Sequence, residues 1–178
     1  MIEFTLIETE NLILRKIDIE VMNSIFESYS DDELMTFFGL SKTEELEKEK
    51  FRYENGLTTF NRSFLYFHLI DKTSNKVIGW CGYHTWAIDH DRAEMGYGLY
   101  ADKWKQKGLM TEAMNVIIPY GFKEMKLHRI EALIGLENIA SFKVLDKFGF
   151  QKEGELREHY FVDGKYEDSS MYSLLVTD

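Results

Sequence analysis

The spacing of hydrophobic and polar residues changes several times along the chain, and each change predicts a new element of secondary structure. Alternating apolar residues indicate strands, and apolar residues three or four positions apart indicate helices. The predicted elements, in order, are a strand over residues 11–17, helices over about 18–29 and 43–56, strands over 63–71, 77–86 and 92–100, a long helix over about 107–126, a strand over 128–136, a helix over 138–148, and two strands near 153–161 and 166–176.

Short turns join the three strands in the middle of the chain, so these strands are predicted to pair as an antiparallel meander. The last two strands are predicted to form a hairpin across Asp163 and Gly164. No linker or internal repeat interrupts the order. Residues 1–178 are therefore expected to form a single mixed α/β domain, with a central, mostly antiparallel sheet of six to seven strands and about four helices.

Composition and charge narrow the possible functions. Hydrophobic residues make up 44% of the chain, as in a packed globular protein. The single cysteine, Cys81, excludes an internal disulfide and any multi-cysteine metal site, and its strand-like surroundings favour a core residue over a nucleophile. No metal is expected. A net charge of −10 argues against nucleic acid as the main partner. It suits a cationic acceptor such as an amine or a basic peptide, although solubility alone would explain it equally well.

The N-terminal residues lack the basic region and apolar run of a signal peptide. No segment approaches the roughly 18 apolar residues that a membrane-spanning helix needs. We therefore expect a cytoplasmic protein without a membrane segment, and a homodimer is compatible with the sequence.

Residues 104–113 combine a short basic loop with the start of the long helix. A helix N-terminus presents main-chain N–H groups without partners inside the helix, and its dipole adds partial positive charge, so phosphate oxygens bind there readily. Gly108 would let a ligand approach the main chain closely, and Lys105 and Lys107 add positive charge. The pattern indicates an anion site, although many loops carry a glycine between lysines.

Three motifs together resemble the GNAT superfamily of acetyl-CoA-dependent N-acetyltransferases. They are Glu94-Met95-Gly96-Tyr97-Gly98-Leu99, the loop and helix start at 105–113, and the segment 138–150, which starts with Asn138 and ends with Gly149 and Phe150. The order of elements matches this superfamily over essentially the whole chain. The C-terminal segment, 153–158 followed by 163–168, is similar to the RimJ/RimL branch, which includes enzymes that acetylate ribosomal-protein N-termini.

The resemblance implies a binding site for acetyl-CoA as co-substrate. In the family's loop pattern Gly108 matches, whereas Lys105 and Met110 depart from it. The implied contacts with coenzyme A come from the main chain of the loop, from the end of the preceding strand and from the start of the next helix: Lys105, Gln106, Lys107, Gly108, Leu109, Met110 and Thr111 for the pyrophosphate, and Leu99, Tyr100 and Asn138 for the pantetheine arm. The slot for the thioester would lie where the strand that contains Leu99 diverges from its neighbour.

Acetyl transfer needs a neutral amine, a polarised carbonyl and a protonated leaving thiolate. Glu94 is the candidate base, and the alternative is a surface or ion-paired carboxylate. His84 and Trp86, on the neighbouring strand, are predicted to bind the acceptor, although His84 could instead be structural. Many family members use a tyrosine as the acid where this chain has Leu145, so Ser141 is the candidate acid, with helix capping as its alternative role.

The sequence therefore predicts an N-acetyltransferase acting on a primary amine. A peptide or protein α-amine is preferred over a polyamine or an aminoglycoside. A non-catalytic acyl-CoA-binding sensor or interaction module that retains the fold is the alternative.

Overall fold

One mixed sheet with helices on both faces forms the framework of the protein. The computed structural model describes residues 2–54 and 63–178. Its elements are β1 (Leu6–Glu8), β2 (Leu12–Ile17), α1 (Ile19–Ser28), α2 (Asp31–Phe38), α3 (Thr43–Glu54), β3 (Ser63–Asp71), β4 (Lys76–Ala87), β5 (Arg92–Leu99), α4 (Leu109–Lys123), β6 (Arg129–Gly135), α5 (Ile139–Lys147), β7 (Gln151–Val162) and β8 (Lys165–Leu175).

The strand order in the sheet is β1-β2-β3-β4-β5-β6-β8-β7. Neighbouring strands are antiparallel except β5 and β6, which are parallel and are connected through α4. The predicted meander of β3, β4 and β5 is confirmed, and so is the hairpin of β7 and β8.

Two hydrophobic cores lie on opposite faces of the sheet, because successive side chains of a strand point to opposite sides. On one face, Leu65, Phe67 and Leu69 of β3 pack in the core that contains the inner side of α4. On the other face, Phe64 and Tyr66 pack with residues of α1, α2 and α3. This double coverage explains why β3 is apolar almost throughout.

The described residues form one sheet of eight strands and five α-helices. This corrects the expectation of six to seven strands and about four helices. The strand that was not predicted is β1, because a segment of three residues is too short to show a clear alternation of apolar and polar positions. The missing helix is α2. Its start was visible in the sequence as Ser30 and Glu33, which form a capping box, and Gly39 ends it in the left-handed region at φ 71°.

Other predicted boundaries lie within a few residues of the observed ones. The predicted end of the second helix near residue 56 lies outside the described residues, and α3 is described as far as Glu54. Within residues 2–54 and 63–178, no helix combines the length and hydrophobicity that crossing a bilayer requires.

Candidate active site

Strands β5 and β6 run side by side only at their beginnings. The paired residues are Arg92 with Arg129, Ala93 with Ile130 and Glu94 with Glu131. Beyond Glu94, β5 continues to Leu99 along β4, and β6 continues to Gly135 along β8. A gap therefore opens between β5 and β6, and main-chain N–H and C=O groups on its two edges lack a strand partner in the described sheet. We call this opening the sheet gap.

Charged side chains hold the closed end of the sheet gap together. Arg92 and Arg129 lie opposite each other, and both donate to Glu131, at 2.7 Å from Nη1 of Arg92 and 2.8 Å from Nε of Arg129. Arg129 also binds the Glu153 carboxylate on β7, which lowers the pKa of Glu153 to about 2. Because Glu131 and Glu153 together balance the charges of the two arginines, β5 and β6 can pair here without repulsion.

The loop before α4 presents a run of main-chain N–H groups. Lys105 N–H donates to the Asp102 carbonyl at 3.0 Å, and Glu112 N–H donates to the Gly108 carbonyl at 2.9 Å. In the described part of the chain, the amides from Gln106 to Thr111 have no such partner. Gln106 and Gly108 have φ values of 59° and 78°, and alternation with left-handed residues turns successive amides toward one concave side. This geometry suits a phosphate group.

Side chains around this loop leave the amides accessible. Gly108 caps α4 without a side-chain hydrogen bond, and a Cβ placed on it would meet no atom within 4 Å. Lys105 pairs with Asp102 at 2.7 Å. Glu112, in the first turn of α4, is bound by the side chain and main-chain N–H of Asn11, so its carboxylate anchors the β1–β2 turn.

Leu99 and Tyr100 differ in whether their main-chain hydrogen-bonding groups are available to a ligand. Tyr100 N–H donates to the Ile78 carbonyl of β4 at 2.9 Å. Since main-chain groups of successive strand residues point to opposite edges, those of Leu99 point toward the sheet gap. Leu99 can therefore bind an extended ligand there, whereas the Tyr100 amide is already paired, as is that of Lys105.

Glu94 lies at the point where the sheet gap opens. Its side chain is 15% exposed, its Oε2 is 3.7 Å from Nδ1 of His84, and the nearby Tyr160 hydroxyl of β7 lowers the pKa of Glu94. Burial raises the pKa of Glu94, and the nearby Glu131 carboxylate raises it further. Burial also lowers the pKa of His84. A partly buried carboxylate with a raised pKa is a reasonable proton acceptor.

Ser141 and Asn138 start α5 on the other side of the sheet gap. Asn138 Oδ1 accepts from the Ser141 N–H at 3.0 Å, as predicted for an N-cap. The Tyr97 hydroxyl of β5 lies 3.5 Å from the Ser141 carbonyl oxygen and so connects β5 with α5. Sequence reasoning did not single out Tyr97, although it lies in the Glu94–Leu99 motif.

The side chains of β5 divide these groups between two faces of the sheet. Glu94 and Gly96 face one side, while Met95 and Tyr97 face the core that contains α4. The candidate base and the candidate acid Ser141 therefore approach β5 from opposite faces. Such an arrangement allows an amine to arrive on one side and a thiolate to leave on the other.

A cavity of about 570 Å³ lies on the Glu94 face. Both His84 and Tyr100 line it, so the structure brings these two predicted residues together. Trp86 is not among its lining residues and packs against the core on the opposite face. The positive φ of Thr85, 51°, and the irregular pairing of β4 after His84 change which face Trp86 occupies. Cys81 is fully buried, and burial raises the pKa of its thiol.

The sequence pattern of the acetyltransferase (GNAT) domain matches residues 11–151. The chain belongs to the GNAT acetyltransferase family. It is therefore an acyltransferase that uses acetyl-CoA, and the fold with its gap between two parallel strands is a GNAT fold.

Relatives within the GNAT family are similar over most of the chain. An uncharacterised N-acetyltransferase of Bacillus subtilis, YoaA, is 32% identical over 173 residues, which cover 97% of each chain. The ribosomal protein uS5-alanine N-acetyltransferase of Escherichia coli is 32% identical over 117 residues, 65% of this chain and 60% of that one. The crystal structure of a ribosomal-protein-S5-alanine acetyltransferase from Vibrio fischeri has a TM-score of 0.68, at 25% identity and 98% coverage of both chains. These similarities agree with the RimJ-like branch that the sequence suggested.

Proposed function

We propose that this protein transfers the acetyl group of acetyl-CoA to the α-amine of a peptide or protein. The observation that carries the proposal is the row of unpartnered amides from Gln106 to Thr111 beside the open sheet gap. The names of the uS5-alanine and S5-alanine acetyltransferases support a protein N-terminus as the acceptor.

Coenzyme A would bind along the sheet gap. The amides from Gln106 to Thr111 would hold its pyrophosphate, with the α4 dipole adding partial positive charge. The main chain of Leu99 would pair with the pantetheine arm as a strand does. Asn138 would contact the arm from the α5 side.

The transfer requires the amine to lose its proton. At pH 7 an α-amine of pKa near 7.8 becomes neutral at a cost of about 1 kcal/mol, against about 4–5 kcal/mol for a lysine amine. Glu94, at the open end of the paired region, would accept this proton directly or through water. A carboxylate is a weak base, so it suits an α-amine better than a lysine amine.

Attack of the neutral amine on the thioester carbonyl forms the amide bond and breaks the carbon–sulfur bond. A main-chain N–H near Leu99 would stabilise the negative charge on the carbonyl oxygen. The leaving thiolate takes a proton, for which the Ser141 hydroxyl is the candidate donor. Burial raises the pKa of the nearby Tyr97, whose hydroxyl would therefore keep its proton and could orient the α5 start.

Calorimetry with acetyl-CoA and mass spectrometry of peptide products test the proposal. Saturable binding together with acetylation at the N-terminus, absent when that terminus is blocked, is the expected result. Binding without acetylation of any amine would favour the non-catalytic module, and no binding would overturn both. The homodimer stays a prediction that light scattering can test.

A further inference from the structure

Aromatic side chains form one side of the 570 Å³ cavity. We call Phe38, Phe64, Tyr66 and Trp80, all of which line it, the aromatic wall. The Tyr66 ring lies 5.8 Å from the ring of Phe64 and 6.0 Å from that of Trp80, between centroids. Phe38 and Phe64 are fixed by the core beneath them, with exposures of 3% and 8%. The wall is therefore a rigid apolar surface.

The aromatic wall reaches the candidate reaction centre. A Cβ placed on Gly96 would lie 2.7 Å from the Trp80 ring and 2.9 Å from Nε2 of His84, so both side chains cover this glycine. Gly96 lies two residues beyond Glu94, on the same face of β5. A group bound against Trp80 would consequently have its neighbouring amine close to Glu94.

Charges around the cavity balance. Its carboxylate, lysine and arginine lining residues in the described chain are Glu45, Lys48, Glu49 and Arg52, all on α3. Glu45 already accepts from the main-chain N–H groups of Ser41 and Lys42, and Glu49 pairs with Arg52. Burial lowers the pKa of His84, which disfavours its charged form. The cavity thus offers little excess negative charge to a second ammonium group.

From the aromatic wall and this charge balance, we infer that the acceptor carries a large apolar group, preferably aromatic, next to its primary amine. A peptide that starts with phenylalanine or leucine has this chemistry, and so does a free arylalkylamine. An alanine N-terminus leaves the wall uncovered, and a polyamine brings charge to an apolar surface. The inference rests on the proposed function and adds the identity of the accepted amine.

A panel of four amines tests the inference: two peptides that differ only in starting with Phe or Ala, 2-phenylethylamine and spermidine. We expect kcat/KM for the Phe peptide to exceed that for the Ala peptide by about ten- to a hundredfold, because the ring becomes buried. Spermidine should be the poorest substrate. Comparison of 2-phenylethylamine with the Phe peptide shows whether the preferred acetyl acceptor is a free amine or a peptide.

Two tryptophan variants localise the effect. Trp80→Leu should reduce the Phe-to-Ala ratio about fivefold or more. Trp86→Leu, on the same strand but outside the cavity, should leave that ratio unchanged. Unaltered acetyl-CoA binding in the Trp80 variant confirms that it is folded, and the panel on the unmodified protein decides the question if the variant does not fold.

The outcomes separate the inference from the proposed function. Equal or better turnover of the Ala peptide than of the Phe peptide would overturn the inference while the proposed activity stood. Better turnover of spermidine than of either peptide would overturn both. Acetyl-CoA binding with turnover of none of the amines would overturn both.

Discussion

Gly108, in the loop before α4, combines a left-handed backbone with open space where a side chain would lie. Its φ of 78° and ψ of −4° belong to the left-handed region, and the space where a side chain would lie is empty of protein atoms. Asparagine and aspartate tolerate this backbone conformation better than other side chains do. The pair therefore allows charge to be tested separately from backbone strain.

Gly108→Asp should weaken coenzyme A binding at least about tenfold relative to Gly108→Asn, because only the aspartate places a negative charge beside the pyrophosphate. Calorimetric titration of both variants gives the ratio, and thermal melts check that they are equally folded. Equal affinities of the two variants would refute the assignment of this loop.

Local signals in the sequence were sufficient to predict the structural position of some residues of the candidate site. Gly108 precedes an apolar helix, and Asn138 stands three residues before the amide that it caps, so both could be predicted from neighbouring residues. Tyr97 and Tyr160 could not, because their partners Ser141 and Glu94 are distant along the chain. Only the pairing and bending of strands brings these hydroxyls into position.

At the scale of elements, an irregularity in the β7–β8 hairpin determines where the Tyr160 side chain lies. The register shifts between Leu156 and Tyr160, and Glu158 there has a φ of 51°. Its N–H donates to Asp168 Oδ1 at 2.7 Å. Bulges of this kind redirect a side chain, and here Tyr160 reaches Glu94 across the sheet.

Tyr160→Phe removes a nearby hydroxyl that favours the charged form of Glu94, so the pKa of Glu94 should rise further. If Glu94 is the base, the acidic limb of the kcat/KM profile should move to higher pH. The same change made in Glu94→Gln should shift nothing. A shift that persists in the Glu94→Gln background would mean that Tyr160 acts through another group.

Helix α4 illustrates how closely the elements pack. Tyr83, which is 1% exposed, donates from its hydroxyl to the Ile117 carbonyl at 2.8 Å. A Cβ on Gly121 would lie 2.3 Å from that hydroxyl oxygen. The sequence predicted the helix and its inner face, but gave no indication that Gly121 is required by a tyrosine on β4.

Gly121→Ala should lower the free energy of unfolding by about 1–3 kcal/mol, because the enclosed Tyr83 ring has little room to move. Tyr83→Leu removes the hydroxyl and the outer ring atoms that would lie 2.3–3.1 Å from that Cβ, so adding it to Gly121→Ala should cost less than the two single changes together. Urea unfolding of the four proteins measures this coupling, and strict additivity would show that the two residues do not clash.

On the scale of the whole molecule, a half-buried arginine joins the sheet to helix α2. Arg15 of β2 donates from Nη2 to the carbonyl of Phe37, at the end of α2, at 2.6 Å, and lies 2.9 Å from Nδ1 of His68. Burial lowers the pKa of Arg15 to about 10. Burial also lowers the pKa of His68 well below its usual range, and the Arg15 charge lowers it further.

The folded protein should lose stability as pH falls below about 6.5. In that range His68 takes up a proton in the unfolded chain and stays neutral in the folded one, so the unfolded state binds more protons. The loss from this group approaches about 1.4 kcal/mol per pH unit until the folded pKa is reached. Urea unfolding between pH 5 and 8 should show a shallower slope for His68→Gln, and identical slopes would contradict the shift.

The limited contact between β5 and β6 has a mechanical consequence. Strands β1 to β5 and strands β6 to β8 are joined within the sheet by three residue pairs, next to the Glu131 ion pairs. An extended ligand lying along Leu99 would occupy the place of a ninth strand and would connect the two parts of the sheet where they are otherwise separated. The bound ligand would then add to the pairing between the two parts of the sheet. Their relative position should therefore be more rigid with the ligand bound and more mobile after product release.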